Sequence, residues 1–254
     1  MEIDFGRTAK DYGAHRAGFP EPLFERLARF GVGNTGQRLL DLGTGAGSLG
    51  RGFAMRGCQV TGLDPSPDLI EEARRLDRAA GVKSDYVVAR AEETGLPGTS
   101  FDAVTAGQCW HWFDRPRAGR EIRRLLVPGG TLALAHFDWI PLPGNLVAAT
   151  EALIEAHNPD WRFGGMTGVH ADELADVALA GFRDIETFSF DLDVAYDHAA
   201  WRGRIRASAG IGASLSPAAV ERFDAAHAVM LAETFPDEPL AVPHRCFAVV
   251  CRAP

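Results

Sequence analysis

The run Leu39-Leu40-Asp41-Leu42-Gly43-Thr44-Gly45-Ala46-Gly47 constrains the fold more than any other stretch of the chain. Apolar residues lead into an acid, and glycines then fall at alternate positions. A buried strand ending in a tight loop has this pattern: glycine carries no Cβ to block a ligand's approach to the backbone, and it tolerates positive φ. A second acid follows where a second strand is expected to end, in Val60-Thr61-Gly62-Leu63-Asp64. An acid about twenty residues beyond a glycine loop, at the tip of the neighbouring strand, can grip two ribose hydroxyls at once. The pair predicts an α/β sheet that binds a nucleoside.

The spacing then separates two kinds of nucleoside. A dinucleotide loop places its glycines as G-x-G-x-x-G. Here Ser48 holds the third slot and Gly47 comes one place early. Asp41, just before the loop, would repel a diphosphate, whereas a cationic ligand has no such conflict. At this point the chain resembles the class I S-adenosylmethionine-dependent methyltransferases, whose first motif is an acid followed by G-x-G-x-G. The resemblance implies a Rossmann-like seven-stranded α/β sheet with helices on both faces. It also implies S-adenosyl-L-methionine as cofactor and S-adenosyl-L-homocysteine as product. Asp41, Gly43, Thr44, Gly45 and Gly47 would face the methionine end, with Asp64 on the ribose and Pro65 beside it.

Further segments keep the same register. Residues 86–92 read as a third strand running into a segment that resembles the family's adenine-contacting motif, with Ala91 and Glu92 at the base; for Glu92 an ordinary polar loop is the alternative. A fourth strand follows Leu96-Pro97, then an arginine-rich helix over residues 117–126, Pro128-Gly129-Gly130, and a fifth strand over 131–135. The fourth strand ends in Gly107-Gln108-Cys109-Trp110-His111-Trp112-Phe113-Asp114. Ligands of open α/β sheets bind outside the carboxyl ends of the strands, so this segment should border the reacting methyl group. Its H-W-F-D sequence resembles a small-molecule branch that includes the trans-aconitate methyltransferases. That resemblance implies Gln108 and Trp110 beside the sulfonium and His111 facing cofactor or acceptor. A buried histidine at a helix start is the other reading of His111, and Trp112 and Phe113 are expected to pack the helix that follows. Before the sheet, Phe5, Ala9, Tyr12 and Arg16 recur at helical spacing. The resemblance has Tyr12 and Arg16 closing over the cofactor, where a guanidinium can hold a carboxylate through two parallel N–H groups.

The chain's 254 residues are enough for a full core. The expected division is a cofactor-binding core over residues 1–137, a mostly helical substrate lid from inserts 138–181 and 191–242, and strands 182–190 and 243–254 completing the sheet. Trp139, Trp161, Arg162 and Trp201 are the substrate-binding candidates in that lid, alongside His111 as catalytic residue; Phe163, Arg204 and Arg206 are further candidates. With a net charge of −8, no global field draws the chain to nucleic acid. No apolar stretch approaches the roughly 20 residues of a membrane helix, and the acidic start lacks the features of a secretion signal. The four cysteines form no C-x-x-C pair and no zinc-like spacing with histidine, so no metal is expected. The expectation is a cytoplasmic enzyme, monomer or homodimer, acting on a small-molecule substrate at a carboxylate or hydroxyl oxygen. Methylation of nitrogen or carbon, a nicotinamide-dependent oxidoreductase and a non-catalytic cofactor-binding protein are the alternatives.

Overall fold

The computed structural model describes residues 18–254, so Tyr12 and Arg16 lie outside the described residues. Among these residues the chain runs α1 (Glu21–Arg29), β1 (Arg38–Leu42), α2 (Ser48–Ala54), β2 (Gln59–Asp64), α3 (Pro67–Ala80), β3 (Asp85–Val88), β4 (Phe101–Gly107), α4 (Arg115–Leu125) and β5 (Leu126–Trp139). It continues through α5 (Leu146–His157), α6 (Asp172–Leu179), β6 (Arg183–Tyr196), α7 (His198–Arg206), α8 (Pro217–Thr234) and β7 (Leu240–Arg252). The seven strands form one sheet in the order β3-β2-β1-β4-β5-β7-β6. Strands β3, β2, β1, β4 and β5 pair in parallel, and the direction of growth reverses between β1 and β4.

Local chemistry accounts for these boundaries. Leu39 to Leu42 are all buried, as a central strand of a parallel sheet requires. Helix α3 starts at Ser66, whose hydroxyl accepts from Leu69 N, with Pro67 in the first turn and Gly81 closing it. In the H-W-F-D segment Asp114 is the cap of α4, its carboxylate accepting from Arg117 N at 3.1 Å. The Pro128-Gly129-Gly130 stretch does not separate α4 from the fifth strand. It lies inside β5, where the pairing passes from Phe101↔Leu126 to Ala103↔Thr131 through an irregularity. Strand β3 stops at Val88, four residues short of the expected end, and Ala89 N turns back to Asp64 O at 3.3 Å.

Two compact units emerge. The sheet unit comprises residues 18–137, 170–190 and 246–254; the helical unit takes 138–169 and 191–245 of the described residues. The sheet unit's core includes Leu40, Leu42, Leu63, Trp110, Ile122, Leu134, Val177 and Val249. The expected lid boundary at 181 is corrected here: α6 belongs with the sheet because Val177 is fully buried in that core and Leu174 packs against it. Strand β6 also runs to Tyr196, beyond the expected end at 190, through the alternating Asp191-Leu192-Asp193-Val194-Ala195-Tyr196. Strict period-2 alternation favours a strand over a helix.

The helical unit has its own core of Leu146, Ile154, Trp161, Tyr196, Trp201, Phe223 and Leu231, among others. Cys58, Cys109, Cys246 and Cys251 are all free and buried. Among the described residues no helix is long and apolar enough to cross a membrane.

Candidate functional site

The sheet order reverses between β1 and β4, and in open α/β sheets ligands bind beyond the strand ends at such a point. The loop after β1 is Gly43 to Gly47, and the segment after β4 begins at Gln108. Gly43, Gly45 and Gly47 all have positive φ, at 58°, 55° and 78°. Space adds to the backbone requirement: a Cβ on Gly43 would stand 2.8 Å from Cys109 Sγ, and one on Gly47 2.9 Å from Tyr86 Oη. Tyr86 packs equally tightly under Gly62, where a Cβ would meet its ring at 2.7 Å. The tyrosine is fixed by a hydrogen bond to Asp77 Oδ2 at 2.8 Å, and Asp77 in turn meets Arg51 at 2.9 Å. Arg51 donates to Ala46 O at 2.7 Å, so the charge behind the loop is neutralised in place.

The two acids have different surroundings. Asp64, 6% exposed at the tip of β2, accepts from Gly45 N and Ser66 N, both at 2.9 Å. One donor per oxygen leaves a carboxylate about half its acceptor capacity. Burial holds its pKa above the ordinary aspartate value. Asp41 is different. It is 1% exposed and accepts from Thr44 Oγ1 at 2.6 Å, Gly50 N at 3.1 Å and Thr105 Oγ1 at 2.8 Å. The expectation that Asp41 faces a ligand is therefore corrected: its carboxylate ties the start of the loop to α2 and β4. Burial raises its pKa to about 6 against those three hydrogen bonds.

The β4 side is strained at one point. Gln108 adopts φ 59°, a left-handed conformation rare outside glycine, while its N–H donates to Ala135 O at 2.9 Å. Such outliers cost of order 1–3 kcal/mol and concentrate at functional sites. A single 3₁₀ turn, Trp110–Trp112, follows. Trp110 points into the core, not toward a ligand: it is buried, and its indole N–H donates to Asp176 Oδ2 at 3.0 Å. His111 is exposed, which removes the buried-histidine reading, and its ring lies 4.6 Å from that of Trp112. Trp112 is 40% exposed, so it does not pack as expected, whereas Phe113 is partly buried against the core. Pro65 is exposed beside Asp64. Ala91 is buried in the core, and Glu92 is bound by Asp114 N at 2.8 Å, holding the third loop against the start of α4.

The remaining candidates lie in the helical unit, in contact with that unit's own residues. Trp201 and Trp161 are core residues, Trp201 being 0% exposed with its indole N–H on Thr150 Oγ1 at 3.2 Å. Their expected role as pocket walls is corrected to packing. Arg162 is exposed and donates to Pro159 O at 2.6 Å. Trp139 is half-buried; its indole N–H donates to Glu151 Oε1 at 2.7 Å and the Arg204 guanidinium lies 4.8 Å above its ring. Sequence reading passed over one cluster in the sheet unit. Within β5, the buried His136 ring meets Glu173 of α6 at 2.7 Å and stacks on His170 at 3.6 Å. Its only trace in the sequence is a histidine directly after an apolar strand, at Ala135-His136.

Residues 40–134 match the family model described as a methyltransferase domain. An uncharacterized methyltransferase of Mycobacterium tuberculosis is 35% identical over 153 residues, covering 58% of this chain and 60% of that protein. The chain thus spans about three-fifths of that relative's length. A malonyl-[acyl-carrier protein] O-methyltransferase of Enterobacter lignolyticus is 33% identical over 180 residues, covering 70% of this chain and 66% of the relative. Among solved structures, phosphoethanolamine N-methyltransferase 2 of Haemonchus contortus superposes with a TM-score of 0.58 at 22% identity, over 98% of this chain and 57% of that one. At that identity the likeness concerns the fold.

Proposed function

Since the chain belongs to the class I S-adenosylmethionine-dependent methyltransferases, we propose that it transfers a methyl group to a carboxylate or hydroxyl oxygen of a small organic acceptor. The observation that carries this reading is the positive-φ glycine loop after β1, beside the strand-order reversal, tied through Gly45 N to Asp64 at the tip of the neighbouring β2. Those residues fit the cofactor's chemistry. The glycine cradle has no room for side chains, and Asp64 keeps lone pairs for two ribose hydroxyls. An acidic site whose neighbouring arginine is already paired suits a sulfonium better than a diphosphate.

In this reading Gly43, Thr44, Gly45 and Gly47 line the methionine end, while Pro65, Ala91 and Glu92 shape the nucleoside side and Gln108 the reacting end. S-adenosylmethionine, when bound, supplies a methyl group on a cationic sulfur. The protein's share is to hold the acceptor oxygen in line and keep water out, and such alignment is worth roughly 7–11 kcal/mol. Exposed His111, in the segment after β4, orients the acceptor. Oxygen as the target atom is supported by the H-W-F-D segment and by the O-methyltransferase name of the enterobacterial relative.

Two measurements test the proposal. Labelled S-adenosylmethionine is incubated with a panel of metabolite acids, alcohols, amines and activated carbons; label only on nitrogen or carbon rejects the oxygen assignment. Calorimetry should detect S-adenosylhomocysteine binding and none of NADH, and the reverse result would point to an oxidoreductase. Within the same titration, Asp64→Ala should weaken S-adenosylhomocysteine binding by about 1.5–3 kcal/mol, the range for hydrogen bonds to a charged group. An unchanged affinity in a folded Asp64→Ala protein would remove Asp64 from the site.

A further inference from the structure

The cluster at His136 in β5 has chemistry that the cofactor loop does not need. His136 is 1% exposed and Glu173 2% exposed, and the His136 Nε2–Glu173 Oε1 contact is 2.7 Å. Glu173 Oε2 is buried and meets no hydrogen-bond donor, so the carboxylate spends its direct contact on the imidazole. The His170 ring stacks on His136 at 3.6 Å and 19°. The exposed His111 ring lies 6.3 Å from His136, centroid to centroid.

Packing alone does not explain the arrangement. A buried carboxylate is costly to desolvate, and apolar residues of similar size usually serve stability as well or better. A carboxylate behind an imidazole has a known chemical use. It fixes which ring nitrogen carries the proton and offsets the charge that develops when the other nitrogen takes one up.

Resting on the methyltransferase reading above, we propose that the acceptor is a hydroxyl compound, an alcohol or phenol, whose oxygen lies between His111 and His136, and that His136, positioned by Glu173, takes the hydroxyl proton. The balance is simple. The O–H bond breaks and its proton joins His136 Nδ1, while Nε2–H stays on Glu173. The oxygen's electron pair forms the new O–CH3 bond, and the sulfur leaves with the C–S pair. A carboxylate acceptor has no proton to lose and would bring a second negative charge toward buried Glu173. A dry setting also suits a methyl donor that water would otherwise consume.

The test uses the whole chain. Calorimetry with S-adenosylhomocysteine comes first, and absence of binding would remove the underlying methyltransferase reading rather than this one. With binding established, wild-type protein and labelled S-adenosylmethionine are offered phenols, aliphatic alcohols and carboxylic acids. Label is expected on hydroxyls; label confined to acids or amines, or on no compound, overturns the proposal. On the best hydroxyl acceptor, His136→Gln should lower kcat at least about 100-fold, the low end for general-base catalysis, with KM and S-adenosylhomocysteine affinity within about threefold. A loss under threefold overturns it. If His136→Gln does not fold, Glu173→Gln and Glu173→Asp take its place. Glu173→Gln should lose kcat with KM kept, and the aspartate should restore part of it. Independently of turnover, imidazole 15N shifts should place the His136 ring proton on the nitrogen facing Glu173 in wild-type protein and show mixed tautomers in Glu173→Gln. Identical spectra would overturn the positioning role.

Discussion

Replacing Trp201 by alanine is expected to lower the free energy of unfolding by about 3–5 kcal/mol, the usual cost of deleting a buried aromatic ring. The side chain has no exposed surface. It packs edge-on to Trp139 at 5.6 Å and to Tyr196 at 5.3 Å, and its N–H bond to Thr150 would be left without a donor. For a chain of this size that loss corresponds to a fall in Tm of about 10 °C, at roughly 2–4 °C per kcal/mol. The result also separates packing from recognition. A pocket residue would raise the acceptor's KM with little change in Tm, whereas Trp201→Ala should do the opposite in the fraction that folds. A fall in Tm below about 2 °C would return Trp201 to the list of pocket candidates.

That correction shows what the sequence makes legible. The glycine loop and Asp64 could be read because their constraints are local in the chain or fall at a characteristic separation. Gly43 and Gly47 need positive φ and open space, and Gly45 N meets Asp64 nineteen residues on. The ends of β1 and β2 followed from the same segments, since Leu42 leads into Gly43 and Asp64 closes its strand. Aromatic identity was less informative. Trp110 and Trp201 fill cores and also have the composition of a ligand wall; only the partner of the indole N–H, Asp176 in one case and Thr150 in the other, separates the two uses. The role of Asp41 is hidden for a related reason. A carboxylate beside a glycine loop can look outward or brace the loop from within, and Thr105 and Gly50, its decisive donors, lie 64 and 9 residues away.

Distance along the chain hides the histidine cluster as well. His136 and Glu173 are 37 residues apart, with no repeat or motif joining them. Strand β5 and helix α6 meet only because α6 packs its Leu174–Val177 face on the sheet unit's core, a placement that also moved the unit boundary from the expected 181. The full length of β6 is hidden for a different reason. Its second half alternates acids with apolar residues, and charge there obscured a clear period of two.

Acidification from pH 7 to pH 5 is expected to cost the helical unit about 4 kcal/mol of stability, through two histidines buried in neutral form. His227 is fully buried, and burial pushes its pKa down to about 4; His244, with its Nδ1 by Val242 O at 2.9 Å, is pushed down to about 4 in the same way. In the unfolded chain a histidine titrates near 6.5, so between about pH 6.5 and pH 4 the unfolded state binds more protons and stability falls with pH. By pH 5 each group has contributed about 2 kcal/mol of that loss. Asp41 in the sheet unit acts in the other direction. Its pKa near 6 exceeds the unfolded aspartate value, so taking up a proton on acidification returns about 1 kcal/mol of stability by pH 5. Glu121, held down to about 2 chiefly by Arg124, begins to cost stability only below about pH 4.5 and stays outside this window. The helical unit should therefore give way before the sheet unit. Three of the five tryptophans, Trp139, Trp161 and Trp201, lie in it and will report its opening by fluorescence in urea titrations at each pH. His227→Gln, which cannot take up a proton, should remove about half of the slope. A stability that is flat between pH 7 and pH 5, or a slope unchanged in His227→Gln, would show that these imidazoles are not held neutral by burial.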